Sequence, residues 1–160
     1  MRSKLGWIGL AVAMVHLSCG GGGDGGPGAA AADGSSASVA ALTQEQLELG
    51  IGPIRSVELG ALDAALAERG EAVFALKCSA CHKMAERYVG PPLGDVLSRR
   101  TPEFVMNMML NPAEMVEKHP EVRELLGQYM TPMPDQNLTE QDSRAVLEYL
   151  RSLQTESGGQ

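Results

Sequence analysis

The chain of 160 residues has room for one ordinary domain plus appendages, and it carries 13 Lys and Arg against 20 Asp and Glu. Two of the bases, Arg2 and Lys4, fall in the first eighteen residues and no acid does, so the remainder stands at −9, which disfavours nucleic acid, itself a polyanion, and suits either simple solubility or a partner with a basic docking patch. Only six aromatic residues occur, Trp7 among them near the start, so the interior must come from Leu, Ala, Val and Met; so small a core calls for a disulfide, a metal or a large apolar group to complete it.

Met1 to Lys4 makes a basic start, and Leu5 to Val15 is an apolar run of eleven residues, the length of a secretory-leader core and too short to span a bilayer. Residues 1–18 therefore read as a signal peptide. His16-Leu17-Ser18-Cys19-Gly20 resembles the lipobox of bacterial lipoproteins, with its Leu one place later than usual. The resemblance implies that Cys19 becomes the lipidated first residue and, through Gly20, that the protein is sorted to the outer membrane, on the periplasmic side. Cys78 and Cys81 account for each other, so Cys19 is otherwise an odd thiol in an oxidising compartment. An ordinary secretory signal with an incidental cysteine is the alternative. Residues 19–38 are almost entirely Gly, Ala, Ser and Asp and cannot offset their ordering entropy by burial; as a flexible tether they reach about 25 Å r.m.s..

Beyond the tether no alternating strand pattern appears, Ile is absent after Ile54, and Ala, Leu, Met, Glu and Arg dominate, so the fold is expected to be all-α. Residues 39–61 read as an extension packed on the domain: Thr43-Gln44-Glu45-Gln46 is a capping box, the helix ends at Gly50, and an irregular Gly-Pro stretch follows. The domain proper is placed at 62–153. From Asp63, residues Leu66, Gly70, Val73, Phe74, Cys78 and Cys81 recur at helical spacing on one face. Thr101 is expected to cap a second helix with Pro102 at its first position, running through Phe104, Val105, Met108 and Met109 to Asn111-Pro112. Shorter helical pieces follow near Ala113 to Lys118 and Glu121 to Tyr129. Thr139 and Asp142 open the last helix, whose stripe is Val146, Tyr149, Leu150 and Leu153, and 154–160 is expected to be a disordered tail.

Cys78-Ser79-Ala80-Cys81-His82 carries the chemistry. Two cysteines three apart, followed at once by histidine, read as c-type haem attachment: both sulfurs reach the porphyrin vinyl groups as thioethers from one helical turn, and His82 lies under the iron as proximal ligand. A zinc site would need His119 as fourth ligand and unusual neighbouring ligands, a redox dithiol would want a βαβ setting, and a plain disulfide would explain nothing downstream. For the second axial position the candidate is Met133, in the Pro-bounded loop Tyr129-Met130-Thr131-Pro132-Met133-Pro134, with Met130 as the alternative. Met106, Met108, Met109 and Met115 are assigned to the core.

These residues together resemble the class I monohaem cytochrome c family over about Leu62 to Leu153. Gly70, Phe74 and Cys78, four apart, match its N-terminal helix, and Val146-Leu147-Glu148-Tyr149-Leu150 its C-terminal helix. Gly90-Pro91-Pro92-Leu93-Gly94 is similar to the loop whose proline carbonyl accepts the proximal histidine's hydrogen bond, a role carried to Pro91, and Met133-Pro134 to the bacterial axial-ligand motif. The resemblance further implies an arginine on a haem propionate, Arg99 or Arg100. The 111–128 stretch is longer and more charged than in compact members. Together with the Gly-Pro extension and Met-rich middle helix, it looks similar to small cytochromes encoded beside respiratory reductases, including those for nitrous oxide.

The expectation is therefore an electron carrier, not an enzyme. It holds one covalent haem c, exposed near Cys78, Cys81 and Lys83, and passes electrons between a donor and a respiratory reductase or oxidase outside the cytoplasm. A peroxidase-like haem enzyme and a gas-sensing module are the rivals; both require an open or labile distal site.

Overall fold

The computed structural model describes residues 41–157; the segments expected from sequence as a leader and a tether, with Cys19, lie outside them. Every regular element among the described residues is a helix: α1 (Gln44–Leu49), α2 (Ala64–Lys77), α3 (Val96–Arg99), α4 (Pro102–Leu110), α5 (Pro112–Lys118), α6 (Pro120–Tyr129) and α7 (Glu140–Ser157). None is long and apolar enough to cross a membrane.

Local chemistry starts these helices. Thr43 Oγ1 accepts from the Gln46 amide at 3.2 Å while the Gln46 side chain accepts from the Thr43 amide at 3.0 Å, the reciprocal box expected for α1. At the head of α7 the Asp142 amide donates to Thr139 Oγ1 at 3.1 Å and the Thr139 amide to the Asp142 carboxylate at 3.2 Å. Three successive helices, α4, α5 and α6, open on proline, whose fixed φ suits the first helical position and whose missing N–H would have had no partner there. For that reason α5 and α6 each begin one residue earlier than expected.

Two boundaries need correction. The four-residue α3 was not anticipated, being too short to show a period. Helix α7 continues to Ser157, four residues into the segment expected as a disordered tail, because nothing before Gly158 breaks it.

The core forms where α2 crosses α7. A Cβ on Gly70 would stand 1.9 Å from the Ala145 carbonyl oxygen, so only glycine lets the two backbones approach this closely. Phe74 meets Tyr149 at 5.5 Å between ring centroids, and Val105, Met106, Met109, Val146, Leu147 and Leu150 close the cluster. A second cluster of Ile51, Phe104, Met115 and Val122 lies beneath α1.

The last turn of α1 leaves its carbonyls free and the stretch from there to α2 has no regular structure, so the domain's side chains satisfy the backbone of both. The Leu47 carbonyl accepts from His119 Nε2 (3.1 Å), Glu48 from Thr101 Oγ1 (2.9 Å), Leu49 and Ile54 from Asn107 Nδ2 (2.8 and 2.9 Å), and Ile51 from Asn111 Nδ2 (3.1 Å). The Val57 amide donates to Glu103 and the Asp63 amide to Glu148. With Ile51 and Ile54 buried, this segment, read from sequence as an extension packed on the domain, is a strap whose side chains enter the core.

Candidate haem site

The pentapeptide sits just past α2. Cys78 is the C-cap, its amide donating to the Phe74 carbonyl, and a tight turn follows in which the Cys81 and His82 amides donate to the Cys78 carbonyl at 3.0 and 2.9 Å. The cysteines thus extend the buried face of α2 without lying inside the helix: Cys78 is buried and Cys81 half-buried. Burial, with Cys81 beside it, pushes the Cys78 thiol up to about 11, the opposite of what an activated dithiol requires.

From His82 the chain doubles back. The Gly90 amide donates to the Cys81 carbonyl (2.8 Å), Leu93 to Lys83 (3.0 Å) and Gly94 to Met84 (2.9 Å). This return places the Pro91 carbonyl 2.9 Å from His82 Nδ1. A carbonyl only accepts, so Nδ1 carries the proton and Nε2 keeps the lone pair a metal would take. Gly90 makes room for the ring, since a Cβ there would stand 2.6 Å from His82 Cε1. Gly90→Ala is therefore expected to push the imidazole off the Pro91 carbonyl and to cost the haem-loaded protein about 2 kcal/mol in urea unfolding; an unchanged midpoint would show that the loop has slack.

One cavity of about 460 Å³ opens beside this turn, within the range of cofactor sites. Its walls are nearly all apolar: Phe104, Val105, Met108 and Met109 from α4, Val146 and Leu150 from α7, and Val89 to Leu93 from the returning loop, with Cys78, Cys81 and His82 also on its lining. Two cysteines, an oriented imidazole and a large apolar hollow fit a covalently held porphyrin. A zinc site does not fit. Among the described residues no three His, Cys, Asp or Glu side chains cluster to hold a metal ion, and His119 is buried elsewhere, edge-on to Phe104 at 5.1 Å.

Met133 lines the same cavity, half-buried and packed against the core. Met130 does not; it is 82% exposed and caps α6 in the left-handed conformation at φ +53°. Of the methionines assigned to the core, Met106, Met109 and Met115 are buried, whereas Met108 is half-buried and forms part of the cavity wall. Arg99 and Arg100 both border the cavity. Arg99 bonds Asp95, whose carboxyl its hydrogen bond holds below the ordinary range, and Arg100 pairs with Glu121 at 2.5 Å and lies over the Phe104 ring.

Sequence reasoning missed part of the wall. Val122, Leu125, Leu126 and Tyr129 of α6 line the cavity, and their spacing of three, one and three is a helical stripe that was available to find. The long, charged 111–128 stretch thus contributes directly to the site. Gly90's clearance of the imidazole had no local signal, since it depends on where the loop returns.

The cytochrome c family model matches residues 67–154, just over half of the chain. Among solved structures, a cytochrome c from Rhodothermus marinus is similar at 47% identity with a TM-score of 0.67, over 70% of this chain and 97% of that one. An engineered cytochrome c from the same organism has 47% identity and a TM-score of 0.65, covering 68% and 96%. The same engineered protein bound to a carbene intermediate has 46% identity and a TM-score of 0.62, again covering 68% and 96%. No curated protein sequence matched. Where the family's helices fall on α2 and α7 and its attachment residues edge an apolar hollow of the right size, identity follows from structure as well as from alignment: the chain belongs to the cytochrome c family, as a monohaem class I member whose covalent haem c serves electron transfer.

Proposed function

We propose that this cytochrome is a lipid-tethered one-electron shuttle outside the cytoplasm, in which His82 and Met133 would hold the haem iron. Haem c supplies the redox-active iron. Cys78 and Cys81 anchor it, the Pro91 carbonyl orients His82 and strengthens it as a donor, and the apolar walls from α4, α6 and α7 keep water away. The observation that carries the reading is that Met133 and His82 line one cavity while Met130 faces solvent. Two protein ligands leave no vacant position, which favours electron exchange over ligand chemistry. The signal-like start, Cys19 and the 19–38 tether support attachment at the periplasmic face of an outer membrane, and the net negative charge suits a partner with a basic docking patch; the resemblance suggests a respiratory reductase, nitrous-oxide reductase among them.

The oxidised protein is expected to show the weak methionine-to-iron charge-transfer band at neutral pH. Met133→Ala should abolish it and lower the reduction potential, while Met108→Leu and Met130→Gly retain it. Met130→Gly should also stabilise the protein by about 1 kcal/mol, since glycine adopts the left-handed cap without the Cβ penalty. A band absent from the wild type would favour the peroxidase-like or gas-sensing alternative, and one surviving in Met133→Ala would show that another methionine is the ligand. Reduction of purified nitrous-oxide reductase by the reduced cytochrome, slowed by salt, tests the partner.

A further inference from the structure

The segment that carries Met133 is built unlike its surroundings. Among the described residues only Met130 and Asn137 have positive φ without being glycine, at +53° and +52°, and they bracket residues 131–136. Such conformations are uncommon for side chains with a Cβ, so each marks an abrupt change of chain direction. Inside the bracket the hydrogen bonds are local: Gln136 Nε2 to the Pro134 carbonyl at 3.3 Å, and the Asn137 amide to Asp135 at 2.7 Å. Among the described residues no hydrogen bond ties 131–136 to another element. Packing of Met133 and Leu138 on the core, and whatever holds the two ends, must keep the loop in place.

The α7 end is held by the Thr139–Asp142 cap. At the α6 end one side chain does the holding. Arg87 Nη2 donates to the Gln128 carbonyl at 2.5 Å, and its guanidinium lies 4.2 Å from the centroid of the Tyr129 ring. Arg87 belongs to the segment between His82 and Gly94 that orients the imidazole. No other hydrogen bond among the described residues joins that segment to residues 125–137. Arg87 thus links the two parts of the chain that bear His82 and Met133, immediately before the first hinge, Met130. Its planar fork suits this double duty, one N–H reaching a carbonyl while the face covers an aromatic ring, and lysine cannot reproduce both contacts.

We propose that Arg87 is the positioning residue for Met133: by gripping the last turn of α6 it sets how often the loop hinged at Met130 and Asn137 swings its methionine away from the iron. The inference rests on the Met133 ligand reading. When a methionine must leave before an external ligand enters, the rate of imidazole binding to the oxidised protein saturates at the rate of loop opening. In the haem-loaded full chain, Arg87→Ala is expected to raise both that saturating rate and the affinity for imidazole about tenfold, the size expected when a charge-assisted hydrogen bond and a cation–π contact are lost together at an exposed site. Arg87→Lys should fall between the two. Thr43→Ala, which weakens the remote α1 cap, controls for general loss of stability and should leave imidazole binding unchanged. Imidazole binding to Arg87→Ala within twofold of wild type, with the charge-transfer band present in both, overturns the latch. Absence of the band from the wild type overturns the Met133 reading and the latch with it, so the band tells the two failures apart.

Discussion

Asn107→Ala is expected to destabilise the domain by about 3 kcal/mol, because a fully buried side chain that satisfies three backbone groups leaves them all without partners. Its Nδ2 serves the carbonyls of Leu49 and Ile54, its Oδ1 serves the Ile54 amide at 2.9 Å, and a Cβ on Gly52 would stand 2.3 Å from that oxygen, so the strap lies directly against the amide. Urea unfolding of the holoprotein measures the loss. Asn107→Asp should be worse than alanine, since it keeps the acceptor but turns a carboxylate toward two carbonyls. Helix α4 carries the strap through Asn107 and the cavity wall through Phe104, Val105, Met108 and Met109, so loosening the strap should also broaden the haem spectrum. A cost under about 1 kcal/mol would show that the strap is only loosely attached.

Glu148→Gln is the second large effect, and it carries a pH signature. The Glu148 carboxylate is wholly buried, bonded to Arg144 at 2.6 Å, to Arg151 at 2.7 and 2.8 Å, and to the Asp63 amide at 2.9 Å. Burial pushes its pKa up, but the Asp63 amide and the two guanidinium groups outweigh that and hold it below its ordinary value of 4.5. A carboxyl more acidic in the folded chain than in the unfolded one stabilises folding fully above pH 4.5, and the contribution is lost as pH falls through the folded value. At pH 7 the substitution is expected to cost about 3 kcal/mol by leaving two arginines without their counter-ion. Urea midpoints of the two proteins should converge as pH is lowered from 5 to 3. Curves that stay parallel over that range would show that Glu148 does not titrate with folding.

Glu148 also shows where pattern reading stops. In Val146-Leu147-Glu148-Tyr149-Leu150 a charge amid apolar residues reads as the solvent face of an amphipathic helix, yet it is among the most buried side chains. The reason is the strap: Asp63 and Gly60 pass over α7 there, and the Glu148–Arg151 pair caps their backbone, Arg151 donating to the Gly60 carbonyl at 3.0 Å. No residue near Glu148 in sequence announces that contact.

What the sequence determined by itself was what short-range chemistry controls. The starts at Thr43, Thr101-Pro102 and Thr139 are each decided within about four residues by a cap or a proline. The all-helical class follows from periodicity and composition, and the attachment pentapeptide from bond lengths that let two sulfurs and an imidazole meet one porphyrin. The tertiary structure alone decided which partners those residues meet. It turned Met133 and not Met130 toward the cavity, brought the Pro91 carbonyl to His82, cleared the ring's space at Gly90, and bound the strap through Asn107 across more than fifty residues of chain. Such contacts are selected by the packing of the whole domain around one hollow, and a side chain that satisfies a distant backbone group leaves no periodic trace in its own neighbourhood.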